Sequence, residues 1–187
     1  MRIVAGRFRG KQLRSPEGDE IRPTSDRVRE ALFSILSSRL GPGFDGLRVL
    51  DLFAGTGALG LEAMSRGASF AAFIDTGVQA RGIIRDHIES FGIGGQTKLL
   101  KRDATNLGPL EKFKPFDIVF VDPPYGKQLG EKALGSASKN GWIAPKATVV
   151  LEENKDAEIE FPEGFELVDQ RTYGDTTIMI LNYQAAG

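Results

Sequence analysis

Apolar positions recur along this chain with two different periods, and the two alternate. Between 24 and 40, Val28, Ala31, Leu32, Ile35 and Leu36 fall three and four residues apart, the spacing of one helical face. That pattern predicts a helix from Thr24, with Thr24 as its cap and Gly41-Pro42-Gly43 as its stop. Short, nearly continuous apolar runs follow at 47–52, 70–75, 97–102, 117–121 and 147–152. Helical stretches lie between them at 57–66, 78–91 and near 127–139. Unbroken apolar strands separated by helices predict a parallel sheet covered on both faces. The end of the chain departs from this pattern. Runs 165–173 and 176–183 flank Gly174-Asp175 and read as a hairpin, hence an antiparallel edge. The expected fold class is α/β: a doubly wound, mostly parallel seven-stranded sheet with helices on both faces and an antiparallel last strand. Residues 1–187 read as one domain, with 1–23 a basic arm or hairpin and 24–40 an N-terminal helix.

Composition removes several chemistries. The 187 residues are 41% hydrophobic and 26% charged, ordinary for a soluble globular chain. No apolar run approaches the ~20 residues that cross a bilayer. The N-terminus lacks a secretory pattern, so a cytoplasmic protein without membrane contact is expected. The absence of cysteine excludes disulfide scaffolds, zinc–thiolate sites, iron–sulfur clusters and cysteine nucleophiles. No metal site is expected.

Net charge is −1, but it is unevenly placed. Residues 1–16 carry Arg2, Arg7, Arg9, Lys11 and Arg14 with no acid, so the remainder is acidic. A basic arm on an acidic body suits an anionic partner; a solvated charged terminus would look the same.

The stretch VLDLFAGTGALGLEA (49–63) contains Gly55-Thr56-Gly57-Ala58-Leu59-Gly60 between a strand and a helix. Small residues there admit a ligand close to the backbone, and the helix start offers free N–H donors. Such a turn, at the carboxyl end of a first strand, is where open α/β sheets bind nucleotides. A dinucleotide remains possible, since Asp75 follows Gly60 by 15 residues at the next strand end. Asp51, just before the turn, would repel a pyrophosphate. It suits a ligand with positive charge, such as S-adenosylmethionine, whose ammonium it could hold directly or through water. Asp75 could then accept the ribose hydroxyls, and Asp103, ending the third strand, the adenine amine. Three acids at three strand ends would converge on one edge of the sheet.

Asp122-Pro123-Pro124-Tyr125 ends the fourth strand at the same edge. Paired prolines stop a strand. The tetrapeptide also presents acceptors in a rigid frame, because the proline rings lock φ. A carboxylate and a backbone carbonyl can hold the two hydrogens of an exocyclic base amine and aim its lone pair at a methyl donor. The tyrosine offers a flat face to a base taken out of its stack.

With these residues the chain resembles the class I, Rossmann-like S-adenosylmethionine-dependent methyltransferases that methylate amines. More specifically, it is similar to the bacterial family that methylates a guanine N2 of 16S ribosomal RNA. The likeness spans RIVAGRFRGKQL, RPTSDRVREALFSIL, LDLFAGTGALGLEA, FVDPPY and NGW, and the first two segments are the specific ones. The resemblance implies S-adenosylmethionine as cofactor, S-adenosylhomocysteine as product, and 16S rRNA within a 30S subunit or assembly intermediate as partner of a monomeric enzyme. It implies Asp51, Gly55, Gly57 and Asp75 at the cofactor, with Phe53 and Ala54 in the same turn, and Asp103 with Ala104 next to adenine. Asp122, Pro123, Pro124 and Tyr125 would hold the guanine. Arg7, Arg9, Lys11 and Arg14 would contact phosphate, with Arg22, Arg27 and Arg29 as extensions of that surface. Arg27 and Arg29 could equally form a helix face paired with Asp26 or Glu30. The family often carries a second acid two places after the ribose-binding one, where this chain has Gly77.

The expected reaction is direct in-line transfer to the amine, with the protein contributing proximity and orientation. Competing readings are a DNA adenine-N6 or protein glutamine-N5 methyltransferase, a nicotinamide-dependent dehydrogenase, and a non-catalytic RNA-binding factor. His87, the sole histidine, falls beside Ala80, Ile83, Ile84, Ile88 and Phe91 and reads as packed structure. Trp142 reads as core, and Phe53 could pack under the turn or line the site.

Overall fold

The computed structural model describes residues 1–18, 24–41 and 43–185. Its elements are α1 (Asp26–Leu40), β1 (Arg48–Leu52), α2 (Ala58–Ser65), β2 (Phe70–Ile74), α3 (Val78–Phe91) and β3 (Thr97–Leu100). They continue with β4 (Phe116–Val121), α4 (Leu129–Lys139), β5 (Ile143–Asn154), β6 (Phe165–Tyr173) and β7 (Thr176–Tyr183). The sheet runs β3-β2-β1-β4-β5-β7-β6. Strands β1 to β5 pair in parallel, and β7 is antiparallel to both β5 and β6. The antiparallel last strand is as expected, but it is not the edge. β7 inserts between β5 and β6, because its run Thr177–Leu181 is buried whereas β6 is half exposed along its length.

Side chains alternate across each strand, so a continuous apolar run feeds two cores. Leu50 and Leu52 of β1 pack with Ala133, Leu134 and Ala137 of α4 and with Trp142. Val49 packs on the opposite face with Phe33 and Leu36 of α1, Leu61 and Met64 of α2, and Ile84 and Phe91 of α3. Trp142 is core, as expected, and its indole N–H donates to the Gly108 carbonyl at 2.8 Å.

Two boundaries differ from the sequence pattern in ways that matter. α1 starts at Asp26, capped by Ser25, whose hydroxyl accepts the Val28 N–H. Thr24 is therefore not the cap; it is buried and turned toward the sheet edge. β5 begins at Ile143 rather than 147, because Pro145 and the positive φ of Lys146 form an irregularity after which pairing with β4 resumes.

Of the arm or hairpin expected over 1–23, residues 19–23 lie outside the described residues; residues 1–14 make a hairpin-like turn that is docked rather than free. Arg2 bridges Gln12, and Ile3 and Leu13 are buried. The turn lies against α2: Arg7 N–H donates to the Ser65 carbonyl and Phe8 N–H to Ser65 Oγ. Gly6 passes so close that a Cβ would sit 2.0 Å from the Ser65 carbonyl oxygen. Glu62 organises the contact. Its fully buried carboxylate accepts the Val4 and Ala5 amides at 2.9 and 3.1 Å. It also pairs with Arg29 at 3.2 Å and Arg66 at 3.0 Å. Arg29 is fully buried as well, and its guanidinium reaches the carbonyls of Thr24 and Arg2 and the carboxylate of Asp26.

A second tether lies on α3. Arg14 N–H donates to Nε2 of His87 at 2.8 Å, and Nδ1 of His87 lies 3.0 Å from the Thr56 carbonyl. These partners select the neutral tautomer with the proton on Nδ1. Burial accordingly holds the His87 pKa below its usual value. The histidine is packed structure, as expected, and it also joins the N-terminal turn to the glycine turn. Among the described residues, no helix is long and apolar enough to cross a membrane.

Replacing Glu62 by Gln removes the central charge while leaving Arg29 buried, which should lower stability by about 3 kcal/mol. The expected result is a lower urea midpoint and faster hydrogen exchange at the Val4 and Ala5 amides. An unchanged midpoint would contradict the role of Glu62.

Candidate active site

β1, β2 and β4 end at one edge of the sheet, and a cleft of about 770 Å³ opens there. Its walls are the glycine turn from Phe53 to Thr56, the segment Asp75–Gly77, Asp103 with Thr105, the tetrapeptide Asp122–Tyr125, and Thr24. The four acids that the sequence placed at strand ends thus share one cavity.

Each is held differently. Asp51 is 1% exposed, and its Oδ2 accepts the Gly60 N–H at 3.0 Å. Gly60 can be nothing larger, because a Cβ there would lie 2.5 Å from the Phe73 ring and 3.1 Å from Asp51 Oδ2. Burial, reinforced by the nearby Asp75 charge and opposed by the Gly60 hydrogen bond, raises the Asp51 pKa to about 8. Asp75 uses both oxygens: Oδ2 accepts the Gly55 N–H at 2.9 Å and Oδ1 the Gly77 N–H at 2.8 Å. One carboxylate therefore joins the glycine turn to the start of α3. Asp103 accepts both the hydroxyl and the amide of Thr105, which hold its pKa below the ordinary value. Asp122 Oδ2 accepts the Thr24 hydroxyl at 3.3 Å. The Tyr125 hydroxyl lies 2.7 Å from Thr176 Oγ1 and 3.4 Å from Glu152 Oε1.

Most of the expected cofactor residues line the cleft, and two do not. Phe53, Ala54 and Gly55 form its wall, and Phe53 also packs against the core cluster of Leu50 and Leu52, so both readings of Phe53 hold at once. Gly57, with φ 79, turns into α2 and faces Ile84 and Phe73. Ala104 is buried in the core beside Leu107 and Leu110, so Thr105 takes the place next to Asp103. Gly77 supplies a backbone donor to Asp75 where a second acid was looked for.

The cations divide by surroundings. Arg9 and Arg27 are exposed. Arg7 lies over the Phe8 ring and bonds Gln96, and Lys11 bonds the Ser90 carbonyl beside the Phe91 ring. Arg14 pairs with Asp86 at 2.7 Å and stays half exposed. Arg22 lies outside the described residues. Arg29 is not an extension of this surface: it is fully buried and ion-paired with Asp26 and Glu62.

Three contributors were not legible in the sequence. Thr24 had been read as a helix cap. Gln79 lines the cleft from α3, and its side-chain amide donates to the Glu17 carbonyl at 3.1 Å. Glu152 is buried at the end of β5, behind the tetrapeptide. The available signal was a pair of acids, Glu152-Glu153, closing an apolar strand.

The donor set fits S-adenosylmethionine. A buried acid faces the glycine turn, a second carboxylate retains lone pairs beyond its two backbone bonds, and a third stands at the cleft wall. The volume is also that of a pocket for a cofactor-sized molecule.

A family model described as conserved hypothetical protein 95 matches residues 1–182. Ribosomal RNA small subunit methyltransferase D of Escherichia coli strain K12 is 33% identical, with 100% of this chain and 92% of that protein covered. Its Haemophilus influenzae counterpart is 32% identical over 93% of this chain and 89% of its own length. The solved Escherichia coli structure yhhF, described as a methyltransferase, superposes with a TM-score of 0.84 at 31% identity, covering 100% of this chain and 99% of its own. The sheet order and the cleft are accordingly those of the Rossmann-like class I methyltransferase fold, and the chain belongs to the conserved hypothetical protein 95 family, the methyltransferase family of these relatives.

Proposed function

We propose that this methyltransferase uses S-adenosylmethionine to methylate the exocyclic N2 amine of a guanine in 16S rRNA, within a 30S subunit or its assembly intermediate. It would act as a single-domain, cytoplasmic monomer. The observation that carries the reading is the shared cleft: Asp122-Pro123-Pro124-Tyr125 faces Asp51, Asp75 and Asp103 across one cavity. The substrate class is supported by relatives at 32% and 33% identity named for the small-subunit RNA.

When bound, S-adenosylmethionine supplies a methyl group already activated on a sulfonium, so no protein nucleophile is needed. Asp51 holds the methionine ammonium. Asp75 accepts the ribose hydroxyls with the lone pairs its two backbone bonds leave free, and Asp103 faces the adenine amine. Asp122 and a carbonyl of the Pro-Pro segment hold the two hydrogens of the guanine amine, orienting its lone pair. Asp122 need not be a strong base, because the amine proton becomes acidic once the methyl has arrived. Tyr125 offers its ring to the flipped base. Arg7, Arg9, Lys11 and Arg14, with Arg22 and Arg27, contact phosphate.

Asp51 makes cofactor binding pH-dependent with a defined sign. Its pKa of about 8 leaves the free protein mostly protonated there at neutral pH. Pairing with an ammonium favours the carboxylate, so binding releases a proton and affinity rises as pH approaches 8. Titration calorimetry with S-adenosylhomocysteine at neutral pH, in buffers of different ionisation enthalpy, should report close to one proton released. Proton uptake would contradict the assignment.

The functional test is transfer of labelled methyl to small-subunit rRNA and 30S particles from a strain lacking the gene, followed by nucleoside mapping. N2-methylguanosine is expected. Label at N6 of adenine, or on protein alone, would move the enzyme to another substrate. Asp122→Ala should abolish turnover while S-adenosylhomocysteine still binds.

Charge removal from Arg7, Arg9 and Lys11 together should weaken RNA binding and reduce its salt dependence by up to about three counterions. Filter binding across a salt series measures this. An unchanged slope would place the RNA on another surface.

A further inference from the structure

The segment RPTSDRVREALFSIL contributes more than a helix. Thr24 stands at its start, buried, with its hydroxyl 3.3 Å from Asp122 Oδ2 and 3.5 Å from Glu152 Oε2. A hydroxyl carries one proton and cannot donate fully to two carboxylates. The other oxygen of Glu152 lies 3.4 Å from the Tyr125 hydroxyl, which also meets Thr176 at 2.7 Å. Glu153, the next residue on β5, accepts the Gly126 N–H at 3.2 Å. Glu152 and Glu153 are 5% and 2% exposed. Burying a carboxylate is costly without hydrogen bonds, and the donors that meet this pair include Thr24, the Tyr125 hydroxyl and the Gly126 amide.

We propose that Thr24 and Glu152 are positioning residues for the target base, fixing Asp122 and Tyr125 relative to each other; this rests on the methyltransferase reading given above. Glu152 meets the Tyr125 end of the tetrapeptide directly, and Thr24, which lies between the two carboxylates, gives its one proton to Asp122 at the shorter distance. The prolines stiffen the middle of the turn but do not orient either end side chain. By donating to Oδ2, Thr24 fixes how the Asp122 carboxylate faces the amine. With its hydroxyl held by Glu152 and Thr176, the Tyr125 ring keeps one plane for the base. Neither Thr24 nor Glu152 touches the reacting atoms; they act through the two residues that do.

The N-terminal segment up to residue 18 also reaches the cleft. That segment is tied to α3 at His87 by the Arg14 amide and to the cleft wall at Gln79 by the Glu17 carbonyl.

The test compares wild type, Thr24→Val, Thr24→Ser, Glu152→Gln and the Thr24→Val/Glu152→Gln double variant in methyl transfer to 30S particles. S-adenosylhomocysteine affinity and urea midpoint are measured alongside. Thr24→Val should lower kcat about tenfold or more, with KM for the particle and S-adenosylhomocysteine Kd within about twofold of wild type. Thr24→Ser should restore kcat to within about threefold, and the double variant should lose less than the product of the two single losses. Unchanged kcat in Thr24→Val overturns the proposal. So does a loss that Thr24→Ser does not repair, or one that tracks lost cofactor binding and a lower urea midpoint. If wild type transfers no methyl to the particle, the functional reading falls and takes this inference with it.

Discussion

A right-handed crossover between parallel strands can reach only one face of a sheet for a given direction of travel. From β1 this chain first builds outward through β2 to β3, then returns and builds the other way through β4 to β5. α2 and α3 therefore pack on one face and α4 on the other. The loops leaving β1 and β4 turn away from each other, and the gap between them is the cleft. The glycine turn, the acids and the tetrapeptide are functional neighbours because of that reversal, since nothing local brings Asp51 near Asp122.

The cleft concentrates negative charge and then distributes it. Asp75, Asp103 and Asp122 are each held by specific donors from the chain. Asp51 has the Gly60 amide and otherwise the core around it, so burial dominates and its pKa rises. A cation entering the cleft reverses that balance. On the proposed reading, the site is thus preorganised toward a ligand that is positive at one end and rich in donors along its length.

The N-terminal turn shows how few side chains suffice to hold a polar segment on a domain. Glu62 gathers two backbone amides and two guanidinium groups, and His87 adds a neutral link between Arg14 and Thr56. Cations that looked equivalent in the sequence consequently separate. Arg29 serves the buried cluster, while Arg7, Arg9, Lys11 and Arg14 remain at the surface.

Local patterning by itself determined the seven strands, the three central helices, the hairpin Phe165–Tyr173 with Thr176–Tyr183, and the places of the glycine turn and tetrapeptide at strand ends. Those features are written in periods of two and 3.6 residues and in backbone-restricting Gly and Pro, which act over a few residues. Placing β7 inside β6 was beyond it, because edge and interior are decided by competing burial across strands far apart in sequence. The fates of Thr24, Arg29 and Glu152 were beyond it for the same reason. Thr24 meets a residue 98 positions away, Arg29 one 33 away, and Glu152 closes on Tyr125 from the next strand. A threonine before a helix has the same local signature whether it caps that helix or faces a carboxylate across a cleft. Only the packed sheet, which sets α1 against the ends of β4 and β5, decides between the two.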